Sequence, residues 1–190
     1  SSWIQILADG RVRFLCPRME MGQGATIGLS QIVAEELGVT QDQIECLAPD
    51  SDQLGPFKMT VGSEGIARFS GPVAMGAAGL REHFRQLAAD KVLLPFDQIE
   101  DAAGGFTAAG IFIGYGELVP DQARIIGAEY RADVVPRFAD RNGNSRAIGK
   151  SWKSPELKNI VTGQTIYSRD IAVPDMLYGD IVRPPRYGAT

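Results

Sequence analysis

The sequence is poor in the residues that build metal centres and catalytic triads. Among 190 residues there is one histidine, His83, and there are two cysteines, Cys16 and Cys46. Neither cysteine belongs to a Cys-x-x-Cys pair, which argues against zinc or iron–sulfur ligation within this chain. Both read as small buried hydrophobes. His83 lies in the helical run Leu80-Arg81-Glu82-His83-Phe84. Alone it builds neither a multi-histidine site nor a triad, and it is expected at the surface or partly buried. Positive charge is not in excess. The 19 Lys and Arg against 23 Asp and Glu leave a net charge of −4, so neither a nucleic acid nor an anionic membrane surface has electrostatic support as a partner. No apolar run approaches the roughly 20 residues of a membrane span, and no signal-peptide pattern is visible. Repeats and low-complexity tracts are lacking too. There is no Walker lysine and no Gly-x-Gly-x-x-Gly, which makes a nucleotide-binding domain a poor rival.

What is present is ordinary for a globular protein, with 44% hydrophobic and 22% charged residues. The length suits one large domain or one and a half small ones. Trp3–Leu7 and Val12–Cys16 read as a strand pair around the Asp9-Gly10 turn, and Pro17 ends the second strand. A helix is expected over about 25 to 37, where Ile27, Leu29, Ile32, Val33 and Leu37 recur at helical spacing, with Glu35 and Glu36 facing away and Gly38 as the stop. Gln43–Leu47 alternates as a strand, and Gln43 itself is expected to point at water. Pro49–Met59 is a polar loop. A second helix is expected over about 72 to 89 on the stripe Val73, Ala77, Leu80, Phe84 and Leu87. Gly76 and Gly79 in it make sense only if that face packs closely. Gly104–Thr107 and Gly110–Gly114 suggest a hairpin, and Tyr115–Val119 a helical turn. In the last segment, Ile166-Tyr167, Met176–Tyr178 and Asp180–Arg183 look like short strands. The class is α+β. Residues 1–125 form the main domain, 126–154 a linker across the surface, and 155–190 the start of a second small α/β unit too short to bury a core alone.

Two segments carry the chemistry. Gly22-Gln23-Gly24 sits between the strand pair and the first helix. Its glycines let backbone approach a ligand, and the helix entrance offers free N–H groups. Gln23 adds a donor and an acceptor. Thr60-Val61-Gly62-Ser63-Glu64-Gly65 is a second loop of small residues before the second helix and suits a nest of amides. Each alone is also what an ordinary turn looks like. Together, separated by one helix and one strand, they favour one shared cavity. Glu20, Glu64, Asp50 and Asp52 are candidate acid–base carboxylates, but no spacing pairs them, and solvated loop residues are the simpler reading.

Glu20-Met21-Gly22-Gln23-Gly24, followed by a helix ending in Ile32-Val33-Ala34-Glu35-Glu36-Leu37-Gly38-Val39, resembles the cofactor loop of the xanthine oxidase family of molybdenum hydroxylases. Thr60-Val61-Gly62-Ser63 resembles that family's next loop, although Gly65 stands where the family often has a second hydroxyl. Val161–Ile171 through Pro174–Tyr178 resembles the start of the family's large subunit. The reversed order of these segments is that of the isoquinoline 1-oxidoreductase-like and bacterial aldehyde dehydrogenase large subunits. The family's Gly-Gly-Phe-Gly-Gly segment and its late Gly-Glu-Pro-type segment, which carries the glutamate base, are absent. The chain therefore reads as a fragment, an excised piece or one half of a split subunit.

The resemblance implies a domain of the aldehyde oxidase/xanthine dehydrogenase type that binds molybdopterin with molybdenum, in the cytosine dinucleotide form, followed by a hammerhead-like start. It implies hydroxylation of an aldehyde or aromatic N-heterocycle with water-derived oxygen, and [2Fe–2S] clusters on a small partner subunit. The remainder of the large subunit and a cytochrome c acceptor are further expected partners, in a bacterial setting that is periplasmic or cytoplasmic, the periplasm being favoured. The implied cofactor contacts are Gly22, Gln23, Gly24, Ala25, Thr26, Val61, Gly62, Ser63 and Gly65. Gln23 would bond the cofactor near molybdenum, the Gly22 and Gly24 amides would hold the pterin-dithiolene or its phosphate, Val61 and Gly62 would shape the wall, and Ser63 would bond the pterin. No catalytic base is assignable, and the isolated chain is not expected to be active. The rival is a non-catalytic assembly module that keeps the fold without the cofactor.

Overall fold

A computed structural model describes residues 3–48, 50, 52, 59–120, 134–137 and 145–188. The chain divides into two compact units, Ser1–Trp152 and Lys153–Thr190.

In the first unit, strand β1 (Ile4–Ile6) pairs antiparallel with β2 (Val12–Leu15). Their turn closes with the Leu7 N–H donating to the Arg11 carbonyl at 2.8 Å, and Gly10 takes φ +80°, which a side chain would resist. Helix α1 (Ala25–Leu37) follows and stops at Gly38, whose φ of +66° and N–H bond to the Ala34 carbonyl make it a left-handed cap. Strand β3 (Ile44–Leu47) then pairs in parallel with β2, Val12 opposite Ile44 and Leu15 opposite Leu47. Parallel neighbours need a crossover, and α1 supplies it. Gln43, expected to point at water, instead accepts from both the N–H and the hydroxyl of Thr40 at 3.0 Å, capping the short turn before β3.

Helix α2 runs over Gly65–Val92, longer than the expected 72 to 89. Pro72, which suited a first turn, lies inside it. An interior proline costs about 3 kcal/mol, but Val73, Ala74, Ala77 and Ala78 directly after it are all buried and offset that cost. Gly76 lies near Ile4 of β1, its added Cβ falling 4.0 Å from that side chain, whereas Gly79 faces nothing within 4 Å among the described residues, which give its place in the helix no packing explanation.

A second sheet, β4 (Glu100–Ala102), β5 (Gly105–Ala108) and β6 (Ile111–Gly114), is an antiparallel meander. A short turn over Tyr115–Leu118 ends it. Tyr115 stands edge-on to Phe84 of α2 and Phe106 of β5, with centroids 5.7 and 5.5 Å apart. This cluster continues the core that Val12, Phe14, Leu29, Val33 and Leu37 build between the first sheet and the helices.

Glu35 and Glu36 do not face away. They are 6% and 0% exposed. Glu36 accepts from Arg81 Nη1 at 2.8 Å and from the Arg137 N–H at 3.0 Å. Glu35 accepts from the N–H groups of Arg146, Ala147 and Ile148 at 3.1, 2.7 and 3.2 Å. Residues 145–152, read from sequence as part of a linker over 126–154, lie within the first unit, and Ala147 is buried in its core.

The second unit contains helix α3 (Leu157–Val161) and a turn at Ser168–Asp170. The strands expected at 166–167, 176–178 and 180–183 do not form. A lone strand leaves its ladder groups unpaired, and these residues find neither a partner nor a core, with Leu177 94% and Val182 97% exposed.

Candidate functional site

The sequence singled out two loops, and the structure brings them together. The Met19 N–H donates to Thr60 Oγ1 at 3.0 Å, and Arg18 Nη1 donates to the Met59 carbonyl at 2.8 Å. Arg18 also lies over the Phe69 ring of α2, 3.7 Å from its centroid. Below the loops the two helices start side by side. A Cβ on Gly65 would lie 3.8 Å from that of Ala25, and a Cβ on Gly28 would strike Ile66 Cδ1 at 2.8 Å. Small residues at these positions let the helix starts approach.

The first loop is held by its own side chains. Glu20 Oε1 accepts from the N–H groups of Gly22 and Gly24, both at 2.9 Å. Its Oε2 accepts from the Thr26 N–H at 3.1 Å and the Thr26 hydroxyl at 2.8 Å. Partial burial works against the charge on Glu20. The four hydrogen bonds outweigh it and hold the carboxyl below the usual glutamate range. Gln23 closes the loop from the other side. Its Oε1 accepts from the Met21 N–H at 2.6 Å and its Nε2 donates to the Met19 carbonyl at 2.7 Å.

The expected contact residues therefore divide. Gly22, Gln23, Val61, Gly62 and Ser63 are exposed at the loop tips. Gly22, Gly24 and Gly62 have φ of +92°, +74° and +67°, and Ser63 shares the left-handed region at +54°. A Cβ built on Gly22 or Gly24 meets nothing within 4 Å among the described residues. Ala25 is 2% exposed and meets α2 rather than solvent. The Gly22 and Gly24 amides, expected to hold an anion, are engaged by Glu20. Gly65 lies between Ala25 and Arg18.

Sequence reasoning missed Glu20 as a cap and Arg18 and Thr60 as ties. A glutamate two, four and six residues before the three amides it binds was the available signal. The other carboxylates do not join it: Glu64 pairs with Arg68 one helical turn on, and Asp50 accepts from the Asp52 N–H at 2.8 Å. Cys16, just past the end of β2, meets Cys46 of β3, and the Cys46 thiol and burial push the Cys16 thiol up, so it stays protonated. Among the described residues no cluster of histidine, cysteine, aspartate and glutamate is arranged to hold a metal ion. A depression of about 440 Å³, lined in part by Asp9, Gly10, Gln43, Gly104 and Glu117, shares no residue with either loop.

Residues 1–154 match the family model of the molybdopterin cofactor-binding domain. The chain belongs to that family. Over 98% of its length it is 28% identical to a nicotinate dehydrogenase subunit of Pseudomonas putida, and, again over 98%, 26% identical to the beta chain of isoquinoline 1-oxidoreductase of Brevundimonas diminuta. It spans 15% and 28% of the length of those relatives. In fold it is similar to quinoline 2-oxidoreductase from Pseudomonas putida 86, with a TM-score of 0.51 and 23% identity over 60% of this chain and 15% of that one.

The residues present fit the group that the family name implies. Two tied loops of small residues with exposed tips form a shelf, and Gln23 retains a second amide hydrogen and a second lone pair beyond its loop bonds. No helix among the described residues is long and apolar enough to cross a membrane.

Proposed function

We propose that the first unit is one wall of the molybdopterin site in an oxidoreductase that hydroxylates an aromatic N-heterocycle or an aldehyde with oxygen derived from water. The observation that carries this reading is the pair of bonds, Met19 to Thr60 and Arg18 to Met59, that join the two glycine loops into a single shelf. Relatives named for nicotinate and isoquinoline and one named as an aldehyde dehydrogenase support both substrate classes.

In this reading Gln23, Gly62 and Ser63 meet the cofactor, Val61 packs against it, and Glu20 and Thr26 keep the loop in shape. The bound cofactor supplies the redox chemistry, and the protein supplies placement and a polar setting. The cytosine dinucleotide form, a small subunit with [2Fe–2S] clusters, a cytochrome c acceptor and a periplasmic location complete the proposal. Its support is that the named relatives are themselves subunits of larger enzymes, together with the loop motifs. A non-catalytic module is the weaker alternative, because the open tips of both loops are kept.

The test is reconstitution. The chain alone is expected to retain little molybdenum cofactor, since one wall leaves a large ligand mostly exposed. Together with the rest of its large subunit and the iron–sulfur subunit it is expected to bind molybdenum stoichiometrically and to oxidise an N-heterocycle or an aldehyde with an artificial acceptor. Stoichiometric molybdenum in the chain alone would refute the single-wall reading. No molybdenum in the assembly would refute the function.

A further inference from the structure

We propose that Glu20 is the positioning residue of the Gly22-Gln23-Gly24 loop: its carboxylate fills the anion position at the start of α1, so that the loop is set before a ligand arrives and that helix terminus is closed to phosphate. Helix entrances attract anions because their first N–H groups lack partners and carry partial positive charge. Here two of those groups, the Gly24 and Thr26 amides, are already used, together with the Gly22 amide just before the helix. Each Glu20 oxygen takes two hydrogen bonds, Oε1 from Gly22 and Gly24 and Oε2 from the Thr26 amide and hydroxyl, at 2.8 to 3.1 Å. That exhausts the roughly four acceptor positions of a carboxylate.

Gln23 lies between the two amides that Oε1 holds, so its backbone is fixed on both sides. Its side chain is then bracketed by Met19 and Met21. A phosphate arriving at α1 would meet a fixed negative charge already seated on the Gly24 and Thr26 amides. The anionic end of a ligand is therefore directed away from α1, and what approaches this loop is a neutral hydrogen-bonding edge opposite Gln23. The link to the cofactor rests on the function proposed above; the filling of the helix terminus does not.

The experiment compares the full chain with Glu20→Ala by amide hydrogen exchange at Gly22, Gly24 and Thr26, with and without millimolar formate or inorganic phosphate. In Glu20→Ala the three amides are expected to exchange about tenfold faster or more, with the Gly38 amide at the far end of α1 unchanged. Formate is expected to restore protection in the variant and to change nothing in the wild type. Unchanged protection in the variant, or wild-type amides that respond to phosphate as the variant's do, would overturn the proposal. If Glu20→Ala does not fold, Glu20→Gln decides. It offers one acceptor oxygen, so one donor pair is expected to lose protection, and retention of both pairs overturns the idea. In the assembled enzyme, formate is expected to raise the molybdenum content of Glu20→Ala but not of Gln23→Ala. Full molybdenum in Gln23→Ala refutes the cofactor role of the loop. Loss in Gln23→Ala with none in Glu20→Ala refutes positioning by Glu20 alone.

Discussion

Arg81 of α2 donates from Nη1 to the carboxylate of Glu36 on α1 at 2.8 Å, and the two side chains are 6% and 0% exposed. The pair joins the two helices whose starts carry the candidate site. Removing the cation leaves Glu36 charged and buried. Arg81→Leu is expected to destabilise the chain by about 3–5 kcal/mol, read as a lower urea midpoint. The double variant Arg81→Leu with Glu36→Leu is expected to recover much of that loss. A single variant at wild-type stability would show that the pair carries no coupling.

Asp101 of β4 gives the acid limb of stability. Burial raises its pKa, but the Arg137 and Arg85 guanidiniums outweigh that and hold the carboxyl below its usual value. Arg85 Nη2 is 2.9 Å from Asp101 Oδ1, and Arg137 pairs with Oδ2. A depressed folded pKa means that the contribution is complete above the unfolded value, near 3.8, and is lost as pH falls through the folded one. Asp101→Asn is therefore expected to lower stability at neutral pH and to flatten its decline below about pH 4. Parallel acid-denaturation curves for the two proteins would contradict this.

Gln23→Ala is expected to cut molybdenum content and turnover of the assembled enzyme about tenfold, the effect of losing a polar partner that the bound cofactor would cover. Gln43 is unsuitable as the silent control, since it caps Thr40. Gln98 is exposed and serves instead. Gln98→Ala is expected to stay within about 0.5 kcal/mol of wild type. Equal molybdenum content in the Gln23 and Gln98 variants would remove Gln23 from the site.

Gly105 of β5 has no room for a side chain, because a Cβ there would overlap the Ile113 carbonyl of the neighbouring strand. Gly105→Ala is expected to cost about 1–3 kcal/mol, while Gly110→Ser, in open space with φ of +79°, is expected to cost about 1 kcal/mol or less through backbone strain alone. Thermal midpoints in the reverse order would show that the meander absorbs the intrusion.

Helix α1 was legible because Leu29, Ile32, Val33 and Leu37 repeat at helical spacing up to a glycine stop. The first two turns of α2 were not, because Gly65, Gly71 and Pro72 carry the local signature of a loop and only packing from Val73 onward overrides it. Glu35 and Glu36 defeat periodicity for a different reason. Their partners lie 45 to 113 residues away, and no local pattern shows that a carboxylate will be neutralised at such range. Strand β4 was missed because Glu100-Asp101-Ala102 has no apolar alternation and forms only through pairing with Gly105–Thr107. The loops of the site were legible as motifs, and their joining by Arg18, Met19, Met59 and Thr60 was not, since it depends on where α1 and β3 place the chain 41 residues later.

Glu35 holds residues 146–148 entirely through main-chain N–H groups. A carboxylate bound that way reads the path of the backbone and is indifferent to which side chains hang from it. A substitution at exposed Arg146, proline aside, therefore leaves the anchor intact while buried Ala147 must stay small, and loss of Glu35 releases three amides at once.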